Sequence, residues 1–417
     1  MLSIAALSDA ELVASVADVV RTPRADPADS FVLHAPLELA ARTALLPRVA
    51  PADRAAARDQ IAAIASTYEA FGPSAPPQPQ RDFDSLERAA KRLGDAIAAG
   101  DLDDVDATAA WFGERATSHE VGPLLADLIV PSLAAAAHGS IFLYQMPRVA
   151  PRGELTGELL RPLARELARN PRWRLRWYQD RVPDPNASAA SLFDALRATP
   201  RLGLPGSDFI YPLMSQAERS GVAADLLASP TTTTDFEGAA RMTLRAAALS
   251  MLQEPGDYAP YGWTHCLTMP QAALGVARWC TDPTMSLAVA ATYVVGFRAA
   301  LAQNPLEPKW TPPHSGLSLA AALDDGPDLA AAAVWRAPDE QIAGIVTLLA
   351  TRAAVHHDAH LVKYTLACLD AAAWDRDHAR LYLSAAASLL GWWTRADSTA
   401  TPAPQASSTP EAASASA

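Results

Sequence analysis

The chain has 417 residues, half of them apolar, with a net charge of −12 and a pI near 5.2. That length supports a sizeable core in one large or two ordinary domains. The acidic balance argues against a nucleic-acid partner, whose phosphates need clustered Lys and Arg.

Helix punctuation begins at once. "SDAE" (Ser8 to Glu11) matches a capping box, in which a hydroxyl and a carboxylate satisfy free backbone donors. "MLSIAALSDAEL" has no basic run before Asp9 and does not read as a secretory leader. With Cys266, Cys280 and Cys368 unpaired by any CxxC spacing, a reducing, cytoplasmic setting is expected. His34 follows in "SFVLHAPLELAARTALL", a lone polar residue in an apolar helical stretch. Proline-rich breaks come at 71–80, 146–153, 182–186 and 304–316. "DLDDVD" at 101–106 is an Asp-rich run that reads as a solvated turn.

His138 stands in "PSLAAAAHGSIFLYQMPRV", again alone among apolar residues, and Ala runs of this kind favour helix. "PRWRLRWYQDR" at 171–181 spaces Trp173 and Trp177 as i, i+4, which predicts an amphipathic helix with solvated arginines. "TDFE" (Thr234 to Glu237) repeats the capping-box pattern, and His265 lies in "YGWTHCLTMPQAALGVARW". "TDP" at 281–283 puts Asp282 at an N-cap and Pro283 at the first helical position. The most apolar run, "MSLAVAATYVVGF" at 285–297, is shorter than the roughly twenty residues of a membrane span. No membrane partner is expected.

One long helical pattern runs from Pro338 to about Trp374 and carries "VHHDAHLVKY" at 355–364. On a helix His356, His360 and Lys363 fall within about 60° of one another, continuing the apolar row of Ile342 and Leu349. A lysine on a buried face must snorkel out, find a partner or lose its charge. A neutral amine can add carbon dioxide and become a carbamate, an anionic oxygen ligand. A lone buried histidine is usually a hydrogen-bonded core residue. Several from different helices are how a bundle holds a metal. His119, His314 and His378 read as loop or solvent residues. No stretch shows strand alternation and no motif repeats, so the fold class is all-α: one helical globule over 1–395, then a low-complexity tail over 396–417 that should be disordered.

"HDAHLVKYTLACLDAA", "LYLSAAASLLGWW", "LHAPLELAARTALLPRVAP", "AAAHGSIFLYQMPRV" and "YGWTHCLTMPQA" together resemble the questin oxidase-like family over about residues 30–395. The resemblance implies a non-haem iron oxygenase that uses dioxygen to oxidise an aromatic polyketide, quinone or phenol. It implies Fe(II) held by four histidines and a carboxylated lysine. Matched patch by patch, those are His34, His138, His265, His360 and Lys363, with His356 competing for the fourth place. The short connecting loops resemble bacterial-type members. Trp263, Tyr144, Tyr261 and Tyr364 could line an aromatic pocket. No GxGxxG follows a strand, so no flavin or nicotinamide site is expected. Two rivals remain: an all-α His-Asp phosphohydrolase built on a His357–Asp358 doublet with an upstream His and a downstream Asp such as Asp370, and a non-catalytic helical binding protein. Composition sets no oligomeric state.

Overall fold

The computed structural model describes residues 6–25, 31–76, 79, 81–149, 159–202, 210–254 and 261–399. Among them the chain forms nineteen α-helices and no strand, only two isolated bridges, Arg24 with Ser74 and Ser132 with Arg174. All-α is therefore the fold class. The last helix runs from Ala379 to Thr399, past the expected boundary at 396. The rest of the expected tail lies outside the described residues.

Two consecutive helices form the centre. Tyr261–Val276 and Pro283–Leu301 are buried along nearly their whole lengths, as a helix apolar on all sides must be. Among the described residues only Pro283–Leu301 is long and apolar enough to cross a membrane; it exceeds the run read from sequence because Pro283 starts the helix early, and most of it lies inside the fold.

Four helices position the site. They are Phe31–Leu45, Gly139–Val149, Tyr261–Val276 and Ala359–Trp374, and each packs on the next so that the fourth closes back on the first. Close approach has a visible cause between the second and third. A Cβ at Gly275 would lie 2.3 Å from the Tyr144 ring, so only glycine lets that ring sit there. Pro36, Pro147 and Pro270 lie inside three of these helices, each removing one intrahelical hydrogen bond.

Several local expectations meet corrections. The helix predicted from Pro338 to Trp374 breaks in two: Ile342–Val355 ends with His356 extended (φ −76°, ψ 151°), and Asp358 caps Ala359–Trp374. The cause is distant in sequence. Arg42, almost wholly buried, donates to the carbonyls of Ala354 (2.6 Å) and His356 (2.7 Å), taking the acceptors a continuing helix would need. The alanine run before His138 is no α-helix either. Ala135, Ala136 and Ala137 all have positive φ (54°, 48° and 56°), a left-handed turn costing about 1–2 kcal/mol per residue.

Residues 171–181 form a turn, an isolated bridge residue at Arg174 and a short 3-10 turn, Trp177–Asp180, instead of a helix. Tertiary contacts override the spacing: Trp173 stacks on Tyr211 at 3.8 Å, and Trp177 Nε1 donates to Thr292. "DLDDVD" starts a helix, Leu102–Arg115, capped by Asp101. Its Asp104 and Asp106 are buried against Arg81, Arg92 and Arg161, so the run is structural, not a solvated turn. At "TDFE" the cap is Asp235, not Thr234, while Ser8 and Asp282 cap as expected.

Candidate metal centre

The three lone histidines and His360 meet. Ring centroids stand at 4.9 Å for His34–His138, 5.4 Å for His138–His265, 5.2 Å for His265–His360 and 4.9 Å for His34–His360. The rings thus follow the closed circuit of the four helices, one imidazole per helix or its leading edge. Donor nitrogens of His34, His265 and His360 all lie within 4.8 Å of one another.

Each ring's orientation has a local cause. His138 ends the left-handed alanine turn, and its Nδ1 lies 2.7 Å from the Ala136 carbonyl and 3.2 Å from that of Ala135. His265 Nδ1 lies 2.7 Å from the Tyr261 carbonyl one turn earlier. A carbonyl only accepts, so both rings carry hydrogen on Nδ1 and keep the Nε2 lone pair free. Both Nε2 atoms are buried and have no hydrogen-bond partner among the described residues. His138 and His265 form the closed back of the cluster, while His34 and His360 are partly exposed.

Lys363 stands one turn after His360 on the same helix face. It is 7% exposed, and its Nζ likewise has no partner. Burial pushes its ammonium down to about 8, although the carboxylates of Asp358 and Glu38 pull the other way. Burial, and then the Lys363 charge, push His138 down to about 3. His34 falls well below its ordinary value for the same two reasons, and His265 through burial and then the neighbouring His360 and His138. Burial and Lys363 lower His360 as well, with Asp358 opposing. The imidazoles are neutral donors.

A metal fits this donor set. Leaving a buried polar atom unpaired costs about 1–3 kcal/mol; Nε2 of the adjoining His138 and His265 rings is in that state, as is Nζ of Lys363 one turn from His360. Imidazole suits iron, copper and zinc, and a carbamate oxygen on Lys363 would add an anionic, harder donor. An ammonium there would repel the cation, so the lysine must be neutral or carboxylated to belong.

His356 is not part of the cluster. With His357 and Asp397 it forms a second group whose donor atoms lie within 4.8 Å of one another at the surface. Its ring is already committed. Nδ1 accepts the Asp358 N–H at 3.0 Å, so Nε2 carries the hydrogen facing Asp397 Oδ2 at 3.1 Å. A metal at Nε2 would demand an imidazolate. Asp370, the downstream aspartate suggested for the phosphohydrolase reading, is also apart from the His357–Asp358 doublet. Asp370 lies twelve residues along the helix from Asp358, about 18 Å at 1.5 Å per residue, and pairs with Arg148 at 2.5 Å. His119, His314 and His378 are exposed as expected.

Of the four aromatics, Tyr261 sets its ring 4.6 Å from that of His360 and is 38% exposed, at the open edge of the cluster. Trp263 and Tyr364 are buried, and Tyr144 points its hydroxyl at Asp370. Sequence reasoning missed Glu38 and Arg42, a buried pair (2.6 Å) on the His34 helix. Their i, i+4 spacing in an apolar stretch was the available signal.

Comparison of the chain with family models, curated proteins and solved structures finds no match.

Proposed function

We propose that the protein is an oxidoreductase, a non-haem iron-dependent oxygenase acting on an electron-rich aromatic such as a phenol, quinone or aromatic polyketide. His34, His138, His265 and His360 would hold Fe(II), with Lys363 as its carbamate. The observation that carries the reading is the convergence of four imidazoles from separate parts of the chain, two of them with a buried, unpartnered Nε2, beside an equally unpartnered Lys363 one turn from His360. A bland helical core would have hydrogen-bonded or replaced those groups. The sequence resemblance supports the choice of iron and of oxygenation.

When bound, iron supplies a centre at which dioxygen can be activated toward an electron-rich ring. The chain's own residues do the rest. Backbone carbonyls hold two imidazoles in the Nδ1–H tautomer, keeping Nε2 available. The Lys363 amine, desolvated and unpartnered, can attack carbon dioxide, forming an N–C bond and releasing one proton, which leaves a carbamate anion. The buried back of the cluster excludes water. Tyr261 at the partly exposed edge offers an aromatic face to an incoming ring, its hydroxyl being turned to Asp358.

The test is metal content of untagged protein by mass spectrometry. Wild type is expected to carry near-stoichiometric iron and His360→Ala almost none. Lys363→Ala should also lose iron, while Lys363→Glu, which restores an anionic oxygen, keeps more. Folded wild type without metal would overturn the reading, and equal iron in the two lysine variants would remove the carbamate from it.

A further inference from the structure

We propose that Asp358 is the positioning residue of the histidine cluster: its carboxylate fixes the His360 tautomer and turns Nε2 toward the other three imidazoles. The proposal rests on the metal-centre reading above.

The geometry starts in the turn between two helices. Asp358 Oδ1 accepts the N–H groups of His360 (2.8 Å) and Leu361 (2.9 Å), which pins one carboxylate oxygen as a helix cap. The other oxygen is left over from that task. Oδ2 faces His360 Nδ1 at 3.7 Å and accepts the Tyr261 hydroxyl at 3.4 Å. The first is longer than a hydrogen bond, a contact of the kind that tightens when a site fills.

His138 and His265 are held at Nδ1 by backbone carbonyls, which no substitution removes. For His360 a side chain does the same work. Tyr261 joins two of these contacts, since its carbonyl holds His265 and its hydroxyl reaches Asp358. The turn itself is anchored from the His34 helix, where Arg42 holds the carbonyls of Ala354 and His356.

Asp358→Asn separates the two roles. Asparagine caps a helix as well as aspartate does, so Oδ1 and its two N–H bonds survive. In place of Oδ2 it presents an amide N–H to His360 Nδ1. A donor there favours the Nε2–H tautomer, which points a hydrogen instead of a lone pair at the cluster. Asp358→Ala removes both roles at once.

The experiment uses full-length protein stripped with a chelator and titrated with Co(II), whose visible spectrum reports its ligands, and with Fe(II) under anaerobic conditions. Thermal unfolding of the metal-free forms is followed in parallel. Asp358→Asn should melt within about 2 °C of wild type yet bind Co(II) about 10–100-fold more weakly, with an altered ligand-field band. Asp358→Ala should show the same loss and a lower melting temperature. In a His360→Ala background the asparagine should weaken residual Co(II) binding no further. Wild-type affinity and spectrum in Asp358→Asn would make Asp358 a helix cap only. An equal loss with and without His360 would place its effect elsewhere, and either result overturns the proposal. Wild type that takes up neither metal overturns the metal-centre reading itself, a distinct outcome.

Discussion

The buried histidine cluster and the His356–His357–Asp397 group are built from similar side chains on either side of one short turn. Each gathers three donor atoms within 4.8 Å. Distance alone does not separate them; hydrogen-bond commitment does. At the surface, His356 spends Nδ1 on a backbone N–H and Nε2 on Asp397, and its neighbour His357 stacks at 4.3 Å in water. In the interior, backbone carbonyls occupy Nδ1 of His138 and His265 and leave Nε2 with nothing. The backbone differs too: the surface turn uses ordinary φ values, whereas His138 follows three consecutive left-handed alanines. Unspent lone pairs, desolvation and strain coincide on one side only, as expected where a site is held for function at some cost in stability.

The strongest way to break this contrast is to exchange the roles of the clusters. His265→Ala should abolish bound metal, while His357→Ala and Asp397→Asn should leave it at the wild-type level in mass spectrometry. Metal lost from His357→Ala would make the surface group the site.

A smaller effect sharpens the energetic side. Lys363→Met removes a buried amine without a partner and keeps most of its volume. The metal-free protein should gain about 1–3 kcal/mol in urea unfolding. Destabilisation instead would mean the amine is satisfied and the cluster less costly than its geometry implies.

The smallest expected change concerns the alanine turn. Ala136 has φ 48°, and glycine there relieves the left-handed penalty while adding freedom to the unfolded chain. Ala136→Gly should stabilise by under about 1 kcal/mol with metal content unchanged, since the Ala136 carbonyl stays in place. A fall in melting temperature would show that the methyl group packs more than it strains.

What was legible in the sequence was local or compositional. Apolar periodicity and caps such as Ser8 and Asp282 gave the all-α class, and single histidines in apolar patches pointed at His34, His138 and His265, while the choice of His360 over His356 came from the family resemblance. Lys363 was reachable because it follows His360 by three residues. The illegible part depends on residues far apart. Nothing in "AAVHHDAH" announces a break, because the guanidinium that takes its last carbonyls belongs to Arg42, more than three hundred residues earlier. Trp173 and Trp177 kept helical spacing but were claimed by Tyr211 and Thr292. The left-handed alanines contradict their own propensity, and only the fold around them imposes that conformation.

The closed circuit of four helices has a consequence for how the chain comes apart. Its donors run from residue 34 to residue 363, so an ion held by all of them would act as a cross-link across most of the polypeptide. The unfolded chain cannot present all these donors at once, so such a clasp would stabilise the folded state by mass action and couple unfolding to release of the ion. No single helix of the circuit could fray without releasing the clasp, which joins the fates of the first and last parts of the chain.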